Sequence, residues 1–343
     1  MTTSLSRPAA TGDTERALRD MRYAREVVEP RLKHVVDRLA EPTRTIARYH
    51  FGWCDPNGTQ RTRSPAGKFL RPALSLLSAQ AVGAQQGDDA VLDAATAVEL
   101  VHNFTLVHDD IMDGDTTRRH RETAWSLFGT PDALLAGDAL LVLAGELLAD
   151  HTALSGPAFA ALREVVNGQT LDTAFEDRAA VSPDEYLTMV AGKTGALLGS
   201  SCRLGALAAG GSDRDALALA DFGRSLGFAF QLVDDLIGMW GDPHVTGKSV
   251  YSDLRRRKKT LPVIHALAQS DRLRRLYAQT YLADHDLREA VLLIDEHGGR
   301  QWTNRQVHHH LDDARAALDA LSLDTAVRAR LIALVDLVQT RMP

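Results

Sequence analysis

Three aspartates in one short segment of the chain carry the clearest chemistry. Asp109 and Asp113 are four residues apart, and Asp110 follows the first of them. Positions i and i+4 of a helix share a face, so the side chains of Asp109 and Asp113 would point the same way. Like charges placed so closely need a compensating cation, and Mg2+ prefers oxygen ligands while leaving positions for phosphate oxygens. The spacing therefore predicts carboxylates that bind magnesium and, through it, a diphosphate.

A second acidic pair and several basic residues support this interpretation. Asp234 and Asp235 lie far downstream of the first motif, and Lys248 and Lys258 follow them. A DDxxD pattern by itself would equally mark a solvated acidic face of a helix. The first motif, however, lies in an apolar segment, where unpaired carboxylates are costly. Two acidic clusters next to basic residues therefore favour a metal–diphosphate site over an acidic surface.

The order of these motifs resembles that of the trans-isoprenyl diphosphate synthases, which make geranyl, farnesyl and geranylgeranyl diphosphate. The resemblance runs from Gly67 to Pro262. Its motifs, in chain order, are Gly67-Lys68-Phe69-Leu70-Arg71-Pro72, His102, Asp109 to Asp113, Arg118-Arg119, Gly192-Lys193-Thr194-Gly195, Phe230 to Asp235, Gly247-Lys248 and Lys258.

The resemblance implies roles for the acidic and basic residues. It implies that Asp109, Asp113 and Asp234 are metal ligands, and that Asp110 and Asp235 hold metal-bound waters or nearby lysines. It also implies three Mg2+ ions per site with substrate bound, for which Mn2+ can substitute. The implied catalytic set is Asp109, Asp110, Asp113, Asp234, Asp235, Arg118 and Lys193.

Two groups of substrate contacts also follow from the resemblance. Guanidinium groups match phosphate oxygens in pairs, and lysine adds a point charge. The implied contacts of isopentenyl diphosphate are Lys68, Arg71, His102 and Arg119. The implied contacts of the allylic diphosphate (dimethylallyl, geranyl or farnesyl) are Arg118, Lys193, Thr194, Gln231, Lys248 and Lys258.

Three positions, in two of the motifs, depart from the family pattern. The second acidic motif has Gly238 where the family's fuller DDxxD pattern has its last aspartate. Because the family's metal contact here is mainly the first aspartate, we expect Asp234 to be sufficient. After the arginine pair, His120 and Glu122 replace the glycine and proline common in the family.

Composition and periodicity predict an all-α fold in one domain. The chain has 343 residues, a net charge of −6 and two cysteines, so a general nucleic-acid binder and a disulfide framework are not expected. No long uninterrupted apolar run or signal pattern is evident, so we expect a cytoplasmic protein without a membrane span. The expected architecture is a single-domain, isoprenoid-synthase-like helical bundle with a central apolar cavity. Residues 1–13 are expected to form a disordered tail and 14–343 the synthase domain.

Apolar periodicity and Gly, Pro and Ser positions locate the helices. Predicted helices cover 14–40, 72–82, 90 to the first acidic motif, 132–150, 157–178, 183–209 and 213–239, with two or three more within 283–341, split at Gly298-Gly299 and Ser322.

The family pattern places the residues that limit product length just before the first acidic motif. These positions are Phe104 and Thr105. At 100° per residue, Thr105 lies about 40° from Asp109 around the helix and Phe104 about 140°. Helix geometry therefore favours Thr105 as a tunnel-lining residue, whereas the importance of Phe104 rests on the resemblance. The pattern resembles that of C20 synthases, with a C15 product as the alternative.

Two other kinds of protein remain as alternatives. A class I terpene cyclase shares the magnesium–diphosphate chemistry but needs no isopentenyl diphosphate site. A non-catalytic subunit of a heteromeric synthase would be expected to lose aspartates from the first motif, and this chain keeps them. The family resemblance implies a homodimer.

Overall fold

The computed structural model describes residues 12–61, 67–84, 87–241, 251–279 and 281–343. The elements of the first half are α1 (Gly12–Val36), α2 (Thr43–His50), α3 (Leu70–Ala81), α4 (Asp89–Met112), β1 (Thr117–Arg118), β2 (Arg121–Glu122), α5 (Ala124–Phe128), α6 (Thr130–Ala149) and α7 (Thr152–Asp177). The second half contains α8 (Pro183–Val190), a π-helical segment (Ala191–Gly195), α9 (Ala196–Ala208), α10 (Asp213–Trp240), α11 (Ser252–Arg255), α12 (Leu261–Leu267), α13 (Asp271–Tyr277), α14 (Asp284–Glu296), α15 (Gly299–Asp319) and α16 (Thr325–Gln339).

The helices pack as a bundle around one large apolar core. α10 lies between α9 and α15, α4 packs on α6, and α3 packs on α9. Fully buried leucines and Phe222 fill the spaces between them. A smaller apolar cluster joins α12, α13 and α14 at one side of the bundle. The all-α prediction is confirmed, and β1 and β2 add only a two-residue antiparallel hairpin.

Local sequence explains why α4 begins and ends where it does. The Asp88 carboxylate accepts hydrogen bonds from the backbone N–H groups of Ala90 (2.9 Å) and Val91 (3.5 Å), which caps the first turn. At the other end Gly114 adopts φ 64°, a left-handed conformation that glycine tolerates without strain. α4 therefore ends at the first acidic motif and presents it at one end of the bundle.

The predicted helices correspond well to the observed ones, with differences in the first helix, at the start of α7, which is Thr152 rather than 157, and within 183–209. The first helix begins at Gly12 rather than Thr14 and ends at Val36, and the short α2 follows it as a separate element. The predicted helix over 183–209 contains a π-helical segment. The split at Gly298-Gly299 is confirmed, because Gly298 adopts φ 75° between α14 and α15.

Two core helices, α4 and α10, are long and apolar. By length and composition alone, α4 and α10 could each cross a membrane, and 67% and 50% of their most apolar windows are buried inside the protein. Core helices of globular proteins pass the same test, so these two helices do not indicate a membrane span.

Candidate active site

The end of α4 carries two carboxylates that face one side of the site. Asp109 lies in the last turn, and the backbone N–H of Asp113 donates to the Asp109 carbonyl oxygen at 2.8 Å. Burial raises the pKa of Asp109, and the nearby Lys193 opposes that effect. The Asp113 carboxylate lies 3.5 Å from Nζ of Lys258. These two carboxylates therefore already lie beside cationic groups.

Asp110 faces the opposite direction. It is 2% exposed, and its Oδ1 accepts a hydrogen bond from Nε of Arg118 at 2.7 Å. Burial raises the pKa of this carboxyl to about 6, against the pull of Arg118. Asp110 thus holds Arg118, in keeping with the indirect role expected for it.

α7 contributes a carboxylate that the sequence analysis missed. Nζ of Lys193 donates to Oδ2 of Asp172 at 2.5 Å, and Nζ of Lys258 lies 3.8 Å from the same oxygen. Although burial opposes them, these two lysines lower the pKa of Asp172. Asp172 stands alone between Gln169 and the Glu176-Asp177 pair at the end of the helix, and its site role comes from lysines of distant segments, so no local pattern marked it as a site residue.

The position of Lys193 depends on close contact between α7 and the π-helical segment. A Cβ on Gly168 would lie 2.1 Å from the backbone N of Lys193, and a Cβ on Gly192 would lie 2.6 Å from the carbonyl oxygen of Glu164. Only glycine permits this approach on both sides. π-helical turns often occur at functional sites, and here the turn directs Lys193 at Asp172.

Asp235 is fixed inside the bundle by three donors. It is 3% exposed and accepts hydrogen bonds from the Tyr186 hydroxyl (2.5 Å), Nε2 of Gln231 (3.2 Å) and the backbone N–H of Leu261 (3.4 Å). Burial raises the pKa of this carboxyl to about 7. Oγ1 of Thr194 in turn donates to Oε1 of Gln231 at 2.8 Å. The predicted residues Thr194 and Gln231 are therefore joined in one network with Asp235.

Asp234 faces out of the core and meets a residue that the sequence analysis did not identify. NH2 of Arg341, just beyond α16, donates to Oδ1 of Asp234 at 2.6 Å. The guanidinium of Arg341 also lies 4.6 Å from the centre of the Phe230 ring. A single arginine more than a hundred residues from its partner gives no signal in sequence spacing.

A group of cations occupies the other side of the site. Burial lowers the pKa values of Lys68, Arg71 and Arg119, and within the described residues none of the three makes a hydrogen bond through its side chain. Nε of Arg71 is buried without a partner. Burial likewise lowers the pKa of His102 well below its ordinary value, so its imidazole is neutral. This arrangement can bind an anion that supplies the missing acceptors.

The β1–β2 hairpin positions the arginine pair. Arg118 pairs with Arg121 across the hairpin, and between them Arg119 and His120 adopt φ 51° and φ 60°. Left-handed conformations are uncommon for residues other than glycine and cluster at functional sites. His120 therefore adopts the backbone conformation for which glycine, common in the family at this position, is suited. Arg118 consequently reaches Asp110, whereas the Arg119 side chain makes no hydrogen bond within the described residues.

The basic run after α11 is more varied than its sequence suggested. Lys258 faces the site as predicted, but Arg256 also contacts Asp115 and lies 3.9 Å from Asp113. Nζ of Lys259 donates to the Phe175 carbonyl oxygen at 2.8 Å, at the end of α7. Arg256 and Lys259 therefore also bind protein groups. Lys248 lies outside the described residues.

The structure gives a packing reason for Gly238. A Cβ there would lie 2.6 Å from Oδ2 of Asp253. Asp253 thus occupies space beside the second acidic motif that a longer side chain at position 238 would need.

An apolar cavity lies between α4, α6, α7 and α9, on the N-terminal side of the first acidic motif along α4. Val98 and Val101 line it from α4, and Thr105 follows Val101 by four residues on the same face. Phe104 instead packs edge-on against His108, with ring centres 4.7 Å apart. Neither Phe104 nor Thr105 is itself part of the lining. The lining residues are Ala97, Val98, Val101, Ala144, Gly145, Leu148, Ala158, Phe159, Ala161, Leu162, Leu197, Ser200 and Leu204.

Comparisons with known proteins identify the family of this chain. The pattern of the polyprenyl synthetase family matches residues 58–294. A (2E,6E)-farnesyl diphosphate synthase of Mycobacterium tuberculosis is 44% identical over 311 residues, covering 87% of this chain and 86% of the relative. A geranylgeranyl diphosphate synthase of the same organism is 43% identical over 306 residues, covering 86% and 87%. The crystal structure of a polyprenyl synthetase from Streptomyces coelicolor matches with a TM-score of 0.86 and 42% identity, covering 92% of this chain and 98% of that one. Since the matched region holds both acidic motifs, the arginine pair and Lys193, the chain belongs to the polyprenyl synthetase family.

Proposed function

We propose that this prenyltransferase condenses isopentenyl diphosphate head-to-tail with an allylic diphosphate to give a short-chain, all-trans prenyl diphosphate. The observation that carries the proposal is the separation of two charged regions. One holds carboxylates paired with lysines, at Asp113 and Asp172. The other holds Lys68, Arg71 and Arg119 without anionic hydrogen-bond partners among the described residues. Two diphosphates, one bound through metal and one directly, fit these two regions.

The donor set suits Mg2+. Asp109, Asp113 and Asp234 offer the oxygen ligands that this ion prefers. No group of three metal-binding side chains converges on one point within the described residues. Such an incomplete set fits an ion that takes its remaining ligands from substrate phosphates and water. We assign these three aspartates to magnesium, with three ions per site and Mn2+ as a substitute.

The residues around the allylic diphosphate position it and stabilise its departure. The metal ions, when bound, supply positive charge to the oxygens of the leaving diphosphate. Arg118, fixed by Asp110, and Lys193 and Lys258, fixed by Asp172, add charge that is oriented before the reaction. Thr194 and Gln231 complete this group through the Asp235 network.

Lys68, Arg71, His102 and Arg119 are assigned to isopentenyl diphosphate. Direct binding by guanidinium and ammonium groups would place its double bond near the allylic carbon that loses diphosphate. The double bond attacks that carbon as the C–O bond breaks, and a proton then leaves the new chain. We assign the departing diphosphate as the acceptor of this proton.

The apolar cavity between α4, α6, α7 and α9 is assigned to the growing hydrocarbon tail. Its lining is almost entirely aliphatic, apart from Phe159 and Ser200. Such walls exclude water, which would otherwise capture an allylic cation. We propose a C20 product, with C15 as the alternative, and a cytoplasmic location.

A homodimer is proposed from exposed apolar residues on two neighbouring helices. Leu135 and Val142 on α6 are 58% and 59% exposed, and Phe159 and Val166 on α7 are 58% and 54% exposed. Within each pair the residues are seven apart and share a helix face. A second copy of the chain would cover these two apolar stripes.

A condensation assay tests the proposal. Purified protein with Mg2+, isopentenyl diphosphate and each allylic starter should form elongated diphosphates, and chelation of the metal should stop the reaction. Asp109→Ala should lower kcat by a factor of 100 or more, about 3 kcal/mol of transition-state stabilisation. The exposed Asp312→Ala variant on α15 serves as the matched control. Near-normal turnover by a folded Asp109→Ala protein would contradict the metal assignment.

The same assay separates the alternatives. A terpene cyclase would convert an allylic diphosphate to hydrocarbon products without isopentenyl diphosphate. A non-catalytic subunit would form no product with any starter. The buried cations Lys68, Arg71 and Arg119 favour the condensing enzyme over a cyclase. The three aspartates of the first motif favour it over a non-catalytic subunit.

A further inference from the structure

A chain of hydrogen bonds runs behind the cations assigned to isopentenyl diphosphate. Glu99 and Asn103 lie one turn apart on α4 and are 4% and 3% exposed. Nδ2 of Asn103 donates to the Glu99 carbonyl oxygen at 2.8 Å and to its Oε1 at 3.2 Å. Oδ1 of Asn103 lies 3.1 Å from Nε2 of His50, the last residue of α2. The chain thus links α4 to α2 through the interior.

The direction of these hydrogen bonds defines the tautomer of His50. Both hydrogens on Nδ2 of Asn103 are used by Glu99, so the amide cannot be turned without losing both bonds. Oδ1 must therefore accept from His50, and Nε2 of His50 carries the hydrogen. Burial first, and then Arg118 and Arg119, lower the pKa of His50 to about 3. A neutral Nε2–H imidazole leaves Nδ1 as a hydrogen-bond acceptor.

His50 shares a pocket with three arginines that differ in their existing partners. Arg121 donates to the carbonyl oxygens of Tyr49 and Cys54. Arg118 donates through Nε to Asp110. Arg119 lines the same pocket, and in the described part of the chain its side chain makes no hydrogen bond. Of the three guanidinium groups beside His50, Arg119 is therefore the one whose orientation no hydrogen bond to a described residue fixes.

We propose that Asn103 and His50 are positioning residues for Arg119, with Asn103 fixing the Nε2–H tautomer so that Nδ1 of His50 can accept a hydrogen bond from the guanidinium. The inference rests on the proposed function, because Arg119 is assigned there to isopentenyl diphosphate. Asn103 and His50 would thus act on the substrate through the side chain of Arg119.

A neutral acceptor is the chemically suitable partner at this position. A carboxylate directly on Arg119 would cancel much of its charge and compete with the diphosphate. An imidazole lone pair orients the guanidinium and leaves its charge available. Glu99, the acidic group whose charge acts most on Arg119, hydrogen-bonds to Asn103 instead, and burial raises its pKa to about 7 while Arg71 opposes that effect. In this arrangement His50 would orient the Arg119 guanidinium, while Glu99 balances positive charge without a hydrogen bond to Arg119.

Two substitutions of His50 separate the roles of its nitrogens. Glutamine resembles histidine at Nε2 and can still donate to Asn103, but it has no atom at the Nδ1 position. We expect His50→Gln to raise the KM for isopentenyl diphosphate about fivefold, as for one lost hydrogen bond of ordinary strength, with the allylic KM and the Tm little changed. Asparagine resembles histidine at Nδ1, so His50→Asn should lower the Tm while raising that KM less than His50→Gln does.

His151→Gln is the matched control. His151 is also partly buried, and its Nε2 lies 3.3 Å from the buried carboxylate of Asp93, away from the site. A fivefold rise in the KM for isopentenyl diphosphate in His50→Gln but not in His151→Gln supports the proposal. Equal changes in both substrate KM values, or a KM change only in variants with a lower Tm, would indicate packing alone and overturn it.

A spectroscopic measurement tests the tautomer independently of turnover. In 15N-histidine-labelled protein, with His50 assigned by comparison with His50→Gln, Nε2 should show the shift of a protonated nitrogen and Nδ1 that of an unprotonated one. Asn103→Leu should abolish this preference. A protonated Nδ1 in the wild type would overturn the proposal even if the enzyme is active. An inactive wild type with the expected tautomer would instead count against the proposed function.

Discussion

At the scale of single residues, burial separates the members of each acidic pair. Asp110 and Asp235 are 2% and 3% exposed and accept hydrogen bonds from protein donors. Asp234 is 41% exposed at its side chain and is held by one arginine. The buried aspartate of each pair therefore holds other side chains of the site in place. The neighbouring aspartate remains able to bind a metal ion.

The raised pKa of Asp235 leads to a prediction about stability. Its ordinary pKa is 3.8 and its folded value about 7, so between these values the folded protein keeps a proton that the unfolded chain has lost. The protonated Asp235 therefore stabilises the folded protein at low pH. This stabilisation is lost as the pH rises toward 7, by about 1.4 kcal/mol for each pH unit. The Asp235→Asn variant has no carboxyl at this position, so its stability lacks this dependence on pH. In metal-free buffer, the Tm of Asp235→Asn minus that of wild type should increase from pH 5 to pH 8.

Calorimetry across this range provides the measurement. Glu185→Gln is a suitable control, because Glu185 is exposed and caps α8 rather than lying in the core. A Tm difference for Asp235→Asn that is constant with pH would show that the carboxyl titrates normally in the folded protein.

At the scale of elements, the face of α4 that leads to the acidic motif also borders the tail cavity. Val98, Val101 and Thr105 lie at successive helical intervals, with Asp109 next along the same face. Thr105→Phe should place a ring between the cavity and the metal site and shorten the product by about one C5 unit. The measurement is the product distribution after incubation with geranyl diphosphate.

Phe104→Ala tests the neighbouring position, which was assigned from family resemblance. Removing the ring from its contact with His108 should open space beside α6 and lengthen the product, at about 0.8 kcal/mol per CH2 newly buried. Total condensation should change less than the distribution. If both variants gave the wild-type distribution, product length would be set deeper in the cavity, at residues such as Leu148 or Phe159.

The close packing of α7 on the π-helical segment gives another prediction. Gly168→Ala would place a Cβ 2.1 Å from the backbone N of Lys193, so one of the two elements must move. We expect a lower kcat, because Lys193 leaves its position beside Asp172, together with a lower Tm. Gly156→Ala on the same helix is the control, since a Cβ there meets nothing within 4 Å. Equal activity of the two variants would show that the position of Lys193 tolerates this shift.

The sequence predicted elements and residues that depend on short spacings. Helices α4, α10 and α15 follow from periodicity, caps and glycines that are local to each of them. Asp172 and Arg341 were missed because each becomes a site residue only through contacts with distant segments. The π-helical turn was missed because its five residues carry no distinguishing pattern, and the residue that packs closely on it, Gly168, lies on another helix.

At the scale of the whole molecule, the site and the proposed dimer surface share α6 and α7. Asp172 faces the lysines from α7, while Phe159 and Val166 face outward from the same helix. Phe159 also lines the tail cavity, so a second copy seated on α7 would close the cavity from outside. Assembly and product length are therefore expected to be linked.

Val142→Lys tests this link. A charge on the exposed apolar stripe of α6 should shift the protein from dimer to monomer, because an unpaired ammonium is costly to bury. Leu292→Lys is the control, as Leu292 is 69% exposed on α14, away from that surface. Sedimentation velocity should report the mass of each variant, and the assay with geranyl diphosphate should report the products. A monomeric Val142→Lys protein should also give a broader product distribution, since the outer wall of the cavity at Phe159 is no longer covered. A Val142→Lys protein that sediments like wild type would place the interface elsewhere on the surface.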